Sequence, residues 1–277
     1  MTTLVESPVR RITEAEAQMF QRDGWVFLPE FVDLEIVAQM RGFLEEHLGV
    51  DGQRTLSPEW QARTRFVESG FWRDWRLLAR DAAVEPFRTF CLASHLGENA
   101  NRALGRDVSI RMDVDGVLLK PPVGTPLGST PTEWHQDWPN LSHDRVGYTT
   151  FWTALTDVPP ERGSLRFLTG SQREGPLGRT LRGGLDLVSQ YPHLVDRYDL
   201  SPPLHYRAGD ATIHNGLIVH CAPPNTTDEP RWAYSVGVFP GDVRYNGATF
   251  SNTDELGLEP GQLLDTDHFP LLFDPQA

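Results

Sequence analysis

Cysteine is almost missing from this chain: Cys91 and Cys221 are the two in 277 residues. Two isolated cysteines make no disulfide framework, so a reducing compartment, the cytoplasm, is the expectation. Long hydrophobic runs are missing too, and no apolar stretch approaches the roughly 20 residues of a membrane span. The start, Met1-Thr2-Thr3-Leu4-Val5-Glu6, has no basic segment ahead of an apolar one and predicts no secretory signal. Positive charge is in deficit: 25 Lys and Arg face 38 Asp and Glu, a net charge of −13. That argues against nucleic acid or anionic lipid as a partner. It weighs less against an acidic substrate, because the local field of a pocket can oppose the net charge. Internal repeats and low-complexity tracts are absent. What is there is the composition of a soluble globular protein, 39% hydrophobic and 23% charged. The length suits one domain over 1–277, working as a monomer or homodimer on a small-molecule substrate.

Local signals divide the chain into a helical layer at about 13–104, a β core at about 105–240 and a polar, turn-rich tail at 241–277. Thr13 and Glu16 fit a capping box and Gly24 a C′ position, which predicts a helix over 14–23. Trp25-Val26-Phe27-Leu28 reads as a short strand. Asp33 caps a second helix whose stripe is Ile36, Val37, Met40, Phe43, Leu44 and Leu48. Residues 83–104 read as one broken helix or two short ones. In 50–82, Trp60, Phe66, Phe71, Trp72 and Trp75 are interleaved with Arg63, Arg65, Arg73, Arg76 and Arg80. That mixture reads as a partly ordered cover over the mouth of the β core. From Val108 the period becomes two, with strands expected at 108–113, 116–120, 148–155, 164–168, 204–208, 210–220 with a break near Gly216, and 232–239. Residues 172–203 have no period and are expected to form a mobile wall of the substrate entrance, together with 50–80. The fold class is mainly β with flanking α-helices. Helices followed by many short strands give a helical layer on a β-sandwich, and eight strands in two Greek keys make a cupin-like jelly roll.

Thr132-Glu133-Trp134-His135-Gln136-Asp137-Trp138-Pro139 carries the chemistry. In an extended strand His135 and Asp137, two apart, share a face. A third ligand is needed, and His220 is the best candidate. His214 lies six residues earlier and competes for that place. Two His and one carboxylate form the facial triad of non-haem Fe(II) oxygenases, with open positions for co-substrate and dioxygen. Arg231 opens the strand after the Pro-Pro-Asn turn, paired with or next to the strand of His220. Its guanidinium suits a bidentate clamp on a carboxylate. Lys120, followed by two prolines, reads as a surface lysine at a strand end. Cys221 reads as a small packed residue. His143 reads as solvated in a turn. His47, His95, His193, His205 and His268 read as surface or capping residues.

The ordered set His135-Gln136-Asp137, Phe151-Trp152-Thr153-Ala154-Leu155, Thr169-Gly170-Ser171, Gly209-Asp210, His220, Asn225 and Arg231 resembles the phytanoyl-CoA dioxygenase family of Fe(II)/2-oxoglutarate-dependent oxygenases. The resemblance covers about residues 15–240. It implies a double-stranded β-helix with the metal at its open end. It also implies Fe(II) on His135, Asp137 and His220, and 2-oxoglutarate on Arg231. Trp152 and Leu118 would lie against the co-substrate. One departure is Ala222, where relatives often carry a Ser or Thr that helps to bind the acid.

The expected activity is hydroxylation of an unactivated C–H bond of a small metabolite, consuming dioxygen and releasing succinate and CO2. Desaturation, ring closure and epimerisation need the same ligands. Halogenation is disfavoured, because halogenating relatives have a small residue at the position of Asp137. Three alternatives stay open: a cupin-like metalloenzyme that uses no 2-oxo acid, a zinc hydrolase, and a non-catalytic binding barrel.

Overall fold

The computed structural model describes residues 7–69, 72–81, 84–126, 128–180 and 186–276. The start Met1–Glu6, Phe71 and residues 181–185 of the long aperiodic stretch lie outside them. Helix α1 (Glu14–Asp23) starts at the expected capping box, with Thr13 Oγ1 accepting from Glu16 N and Glu16 Oε2 accepting from Thr13 N. It stops at Gly24, whose φ of 81° a residue with a Cβ rarely adopts. Strand β1 (Trp25–Leu28) follows, then α2 (Leu34–Leu48), capped by Asp33. Helix α3 (Pro58–Arg63) leads into β2 (Arg65–Ser69) and β3 (Trp72–Arg76). Helices α4 (Glu85–Leu92) and α5 (Leu96–Leu104) are the two short helices expected in 83–104.

The β part comprises β4 (Ile110–Lys120), β5 (Thr132–His135), β6 (Thr149–Ala154), β7 (Arg166–Phe167), β8 (Ala211–Asn215), β9 (His220–Ala222), β10 (Arg231–Pro240) and β11 (Leu271–Phe273). Between β7 and β8 lie α6 (Leu187–Gln190) and α7 (His193–Arg197). An eight-stranded antiparallel sheet has the order β1-β8-β6-β10-β4-β3-β2, with β11 also on β4. A three-stranded sheet, β5-β9-β7, completes the jelly roll. The outer face of the large sheet buries Val117, Leu119, Tyr234 and Val236 against Phe20, Met40, Leu44, Phe87 and Phe90 of the helices. Each such side chain contributes about 1.5–3 kcal/mol by leaving water. On the inner side Trp152, Phe167, Tyr206, Ile218 and Ala233 pack together.

The structure corrects several expectations. Residues 110–120 form one strand, because β10 pairs along all of it and a bulge at Gly237/Val238 absorbs the irregularity. The aromatic and arginine-rich stretch is no loose cover: β2 and β3 extend the large sheet beyond β4, and Trp75, Arg73 and Asp74 are buried. Residues 241–277 are no peripheral tail. They supply β11, and Val243, Leu264 and Phe269 pack with Phe239 and Leu141. In 172–203, Leu187, Leu194 and Tyr198 pack on Leu168 and Val219, and no described residue of that stretch lines the central cavity. Among the described residues no helix is long and apolar enough to cross a membrane.

Candidate metal centre

Strand β5 ends at His135, and Asp137 has helical backbone (φ −75°, ψ −53°) at the entry to a 3-10 turn, Trp138–Asn140. The pair therefore does not share a strand face, as the spacing predicts; a turn brings the carboxylate back beside the imidazole. Gln136 points away from the cavity and holds that turn. Its amide nitrogen donates to Gly175 O and Leu217 O, and its oxygen accepts from Leu177 N. The break at Gly216 is a change of sheet: His214 stays on β8 in the large sheet and His220 sits on β9 in the small one. His135 and His220 are direct neighbours in the β5–β9 ladder, with ring centroids 4.1 Å apart.

The three expected ligands converge. Asp137 Oδ1 lies 3.6 Å from His135 Nε2 and 3.8 Å from His220 Nε2. One ligand atom from each of the three residues lies within 4.8 Å of the others. Each histidine donates Nδ1–H to the carbonyl two residues earlier, His135 to Glu133 O (2.7 Å) and His220 to Ile218 O (3.1 Å). That tautomer leaves both Nε2 lone pairs facing the cavity. The second oxygen of Asp137 is taken, by Thr150 Oγ1 at 2.7 Å and His214 Nε2 at 3.2 Å. Burial pushes the Asp137 carboxyl up, but His220, His135 and His214 outweigh it and hold the group well below the usual carboxylate range. Two nitrogen lone pairs and one carboxylate oxygen, each oriented from behind, are a donor set that fits a divalent metal.

Arg231 lines the same cavity as the three ligands. It does not lie on a strand paired with that of His220: β10 is in the large sheet, across the sandwich from β9. The guanidinium is 2% exposed and donates to Gly163 O (2.8 Å) and Leu118 O (3.3 Å). Its Nε has no partner, and its Cζ lies 5.5 Å from the centre of the Trp152 ring. Among the described residues no carboxylate comes within ion-pair distance of it. Burial lowers its pKa to about 9, so it stays cationic at neutral pH. Trp152 and Leu118 line the cavity, and the Trp152 indole N–H is buried without a partner. Asn225 ties the β9–β10 turn to the end of β4 through Lys120 O and Pro121 O. Ser171 Oγ accepts from Val219 N beside His220.

Lys120 is a correction. It is fully buried, opposite Arg231 in the β4–β10 ladder, and donates to Thr130 O (2.7 Å) and Ala222 O (3.0 Å). Burial, followed by the charge of Arg231, lowers its pKa to about 6. His143 is also buried, with Nε2 3.6 Å from Asp113 Oδ2. Cys221 fits its reading as a packed residue, its thiol pushed up to about 12 by burial.

A model of the phytanoyl-CoA dioxygenase family (PhyH) matches residues 20–233. The chain belongs to that family. A methylphosphonate hydroxylase of Gimesia maris is 23% identical over 271 residues, covering 93% of this chain and 95% of its own. A phytanoyl-CoA dioxygenase domain-containing protein 1 of Mus musculus is 30% identical over 135 residues, 46% of each chain. Two solved structures share the fold. The non-heme alpha-ketoglutarate-dependent carbocyclase SnoK from nogalamycin biosynthesis superposes with a TM-score of 0.76 at 24% identity, over 95% of this chain and 97% of that one. The epimerase SnoN, solved with Fe3+, alpha-ketoglutarate and nogalamycin RO, gives 0.73 at 26% identity, over 94% and 98%.

Proposed function

We propose that this protein is an Fe(II)- and 2-oxoglutarate-dependent oxygenase of a small molecule, in which His135, Asp137 and His220 hold the iron and Arg231 holds the distal carboxylate of the 2-oxo acid. Hydroxylation of an unactivated C–H bond is the default outcome. Structures of the same fold described as a carbocyclase and an epimerase keep ring closure and epimerisation as other outcomes. The observation that carries the reading is a buried guanidinium with no carboxylate partner among the described residues, in the same cavity as three converging lone pairs. A cation so placed needs an anion, and 2-oxoglutarate supplies one at its far end while its 2-oxo acid end suits a metal. The whole of 1–277 acts as one unit in this reading, and two free, buried cysteines suit a reducing, cytoplasmic setting.

When bound, the iron supplies the coupling between oxidative decarboxylation of 2-oxoglutarate to succinate and CO2 and transfer of the second oxygen atom of O2 to the substrate. The protein supplies position and dryness. Thr150 and His214 fix the Asp137 carboxylate, and the carbonyls of Glu133 and Ile218 fix the two imidazoles. Arg231 sets the depth of the co-substrate. Trp152 and Leu118 wall it in, the Trp152 N–H being free to donate to it. Ala222 lacks the hydroxyl of many relatives, which leaves more of that binding to Arg231.

Anaerobic titration with Fe(II) and then 2-oxoglutarate tests the reading. The expected result is a visible metal-to-ligand charge-transfer band that needs both. Iron uptake without the band points to a metalloenzyme that uses no 2-oxo acid. Hydrolytic turnover by the Zn(II)-loaded protein points to a hydrolase, and no metal uptake to a binding barrel.

A further inference from the structure

The cavity extends from the metal residues across the inner face of the large sheet, and its far wall is β3. Asp74 and Arg76 face the cavity there, in register with Leu118 and Gly116 of β4. Asp74 is 1% exposed. Its Oδ2 is held by Arg76, whose Nε and Nη2 both lie 2.5 Å away. Its Oδ1 is buried and has no hydrogen-bond partner. Gly116 makes room for that oxygen: a Cβ at 116 would sit 2.9 Å from it. A carboxylate oxygen withdrawn from water without a donor is unfavourable, so one that faces a ligand cavity marks a place for a donor that arrives with the ligand.

Apart from Leu118 and Trp152, which wall in the co-substrate, the apolar lining of the cavity that Asp74 shares with the metal residues is Val114, Leu141, Leu165 and Phe250. Strand β3 stands three strands from β6, which carries Thr150. At about 4.8 Å per strand that is about 14 Å. A molecule that meets both ends is therefore long, and its middle is apolar. Arg76 directs Nε and Nη2 at Asp74 Oδ2, which leaves Oδ1 as the acceptor of this wall. A compact dianion such as methylphosphonate has neither the reach nor the charge to suit it.

Resting on the oxygenase reading, we infer that the substrate is an elongated, mainly apolar molecule whose far end presents a hydroxyl or a protonated amine to Asp74 Oδ1, which makes Asp74 a specificity-determining residue. The recognition is a hydrogen bond to a buried acceptor, made stronger when the donor is cationic. Gly116 belongs to the same device, because it admits the carboxylate to the cavity wall.

Calorimetry with 4-phenylbutylamine, 4-phenylbutanol, 4-phenylbutyrate and methylphosphonate tests this on the full chain. The titrations are run anaerobically, with and without Fe(II) and 2-oxoglutarate. The amine and the alcohol are expected to bind at least tenfold more tightly than either anion. Asp74→Asn is expected to reduce the preference for the amine at least tenfold while the alcohol keeps part of its affinity, since the amide oxygen still accepts. Gly116→Ala, which displaces the carboxylate, is expected to weaken both. If Asp74→Asn does not fold, the wild-type ranking and Gly116→Ala decide. An anion that binds as tightly as the amine overturns the inference. So does a ranking unchanged in Asp74→Asn, or binding by none of the four probes. An amine preference that persists without a charge-transfer band keeps Asp74 as the recognition residue and removes the oxygenase reading. A band without the preference does the reverse.

Discussion

The two sheets furnish the cavity in opposite ways. The small sheet contributes His135 and His220 from paired strands, each imidazole oriented by a carbonyl two residues back in its own chain. Its share of the site is local. The large sheet contributes Thr150, His214, Arg231, Leu118 and Asp74 from five different strands, brought together only by pairing. Pairing of two short strands sets the candidate ligands His135 and His220, and their own chain's carbonyls aim the imidazoles. Long-range register fixes what surrounds them, and so what is bound.

Ligand removal breaks this contrast most sharply. His135→Ala or Asp137→Ala is expected to lower iron affinity and turnover by more than a hundredfold, because loss of an outer partner alone costs about 10–100-fold. Circular dichroism should stay that of the wild type. Iron analysis checks it, and full occupancy with normal turnover removes the ligand assignment.

Arg231→Ala tests the large sheet's share. A charge-assisted hydrogen bond contributes about 1.5–3 kcal/mol, or roughly ten- to a hundredfold. The KM for 2-oxoglutarate should rise by that order with iron binding kept, and Arg231→Lys should recover part of it. Lys120→Ala should not mimic it, since the Lys120 amine is turned toward Thr130 O and Ala222 O. A saturation curve for Arg231→Ala that overlays the wild type places the acid on another residue.

Thr150→Val and His214→Phe probe the meeting of the two sheets at Asp137. Each is expected to weaken iron about tenfold in a chelator competition. The double variant should fall short of the product, because both partners use the same carboxylate oxygen. Complete loss of iron in His214→Phe alone makes His214 a ligand rather than a partner of Asp137.

The smallest effect is on stability. A lysine in an unfolded chain titrates near 10.4, whereas burial and Arg231 bring Lys120 to about 6. Between those values the unfolded state binds the extra proton, so stability rises with pH. Wild type is expected to gain on the order of 2 kcal/mol over Lys120→Met between pH 7 and pH 9, read by urea unfolding. Parallel curves mean that the buried amine is charged.

The same contrast governs how much could be read from the sequence. The capping box of α1, the stripe of α2 and the two short helices of 83–104 depend on neighbours three or four residues away, and they stand as read. The candidate ligands His135 and Asp137 were legible as a local pair and His220 through the ordered motif set, although a turn and a change of sheet replace the expected strand faces. Strands β2 and β3 were not legible. Asp74 and Arg76 face the cavity while Arg73 is buried beside Trp75 on the other face, so charged residues stand on both faces and the period of two disappears. His214 appeared only as a rival to His220; that both reach Asp137 follows from β8 and β9 lying in opposite sheets. Lys120 looked exposed because two prolines follow it. Its burial is set by Ala222 and Thr130, which pairing brings over it.

Lys120 is also the only lysine of the chain; the other 24 of its 25 basic residues are arginines. Because it is fully buried, the folded protein presents no lysine side chain to solvent. Amine-directed acylating reagents therefore meet no lysine side chain until the β4–β10 ladder opens. The rate at which position 120 becomes acylated is then a direct clock for opening of that ladder, at the one place where the end of β4, the Ala222 carbonyl and Arg231 meet.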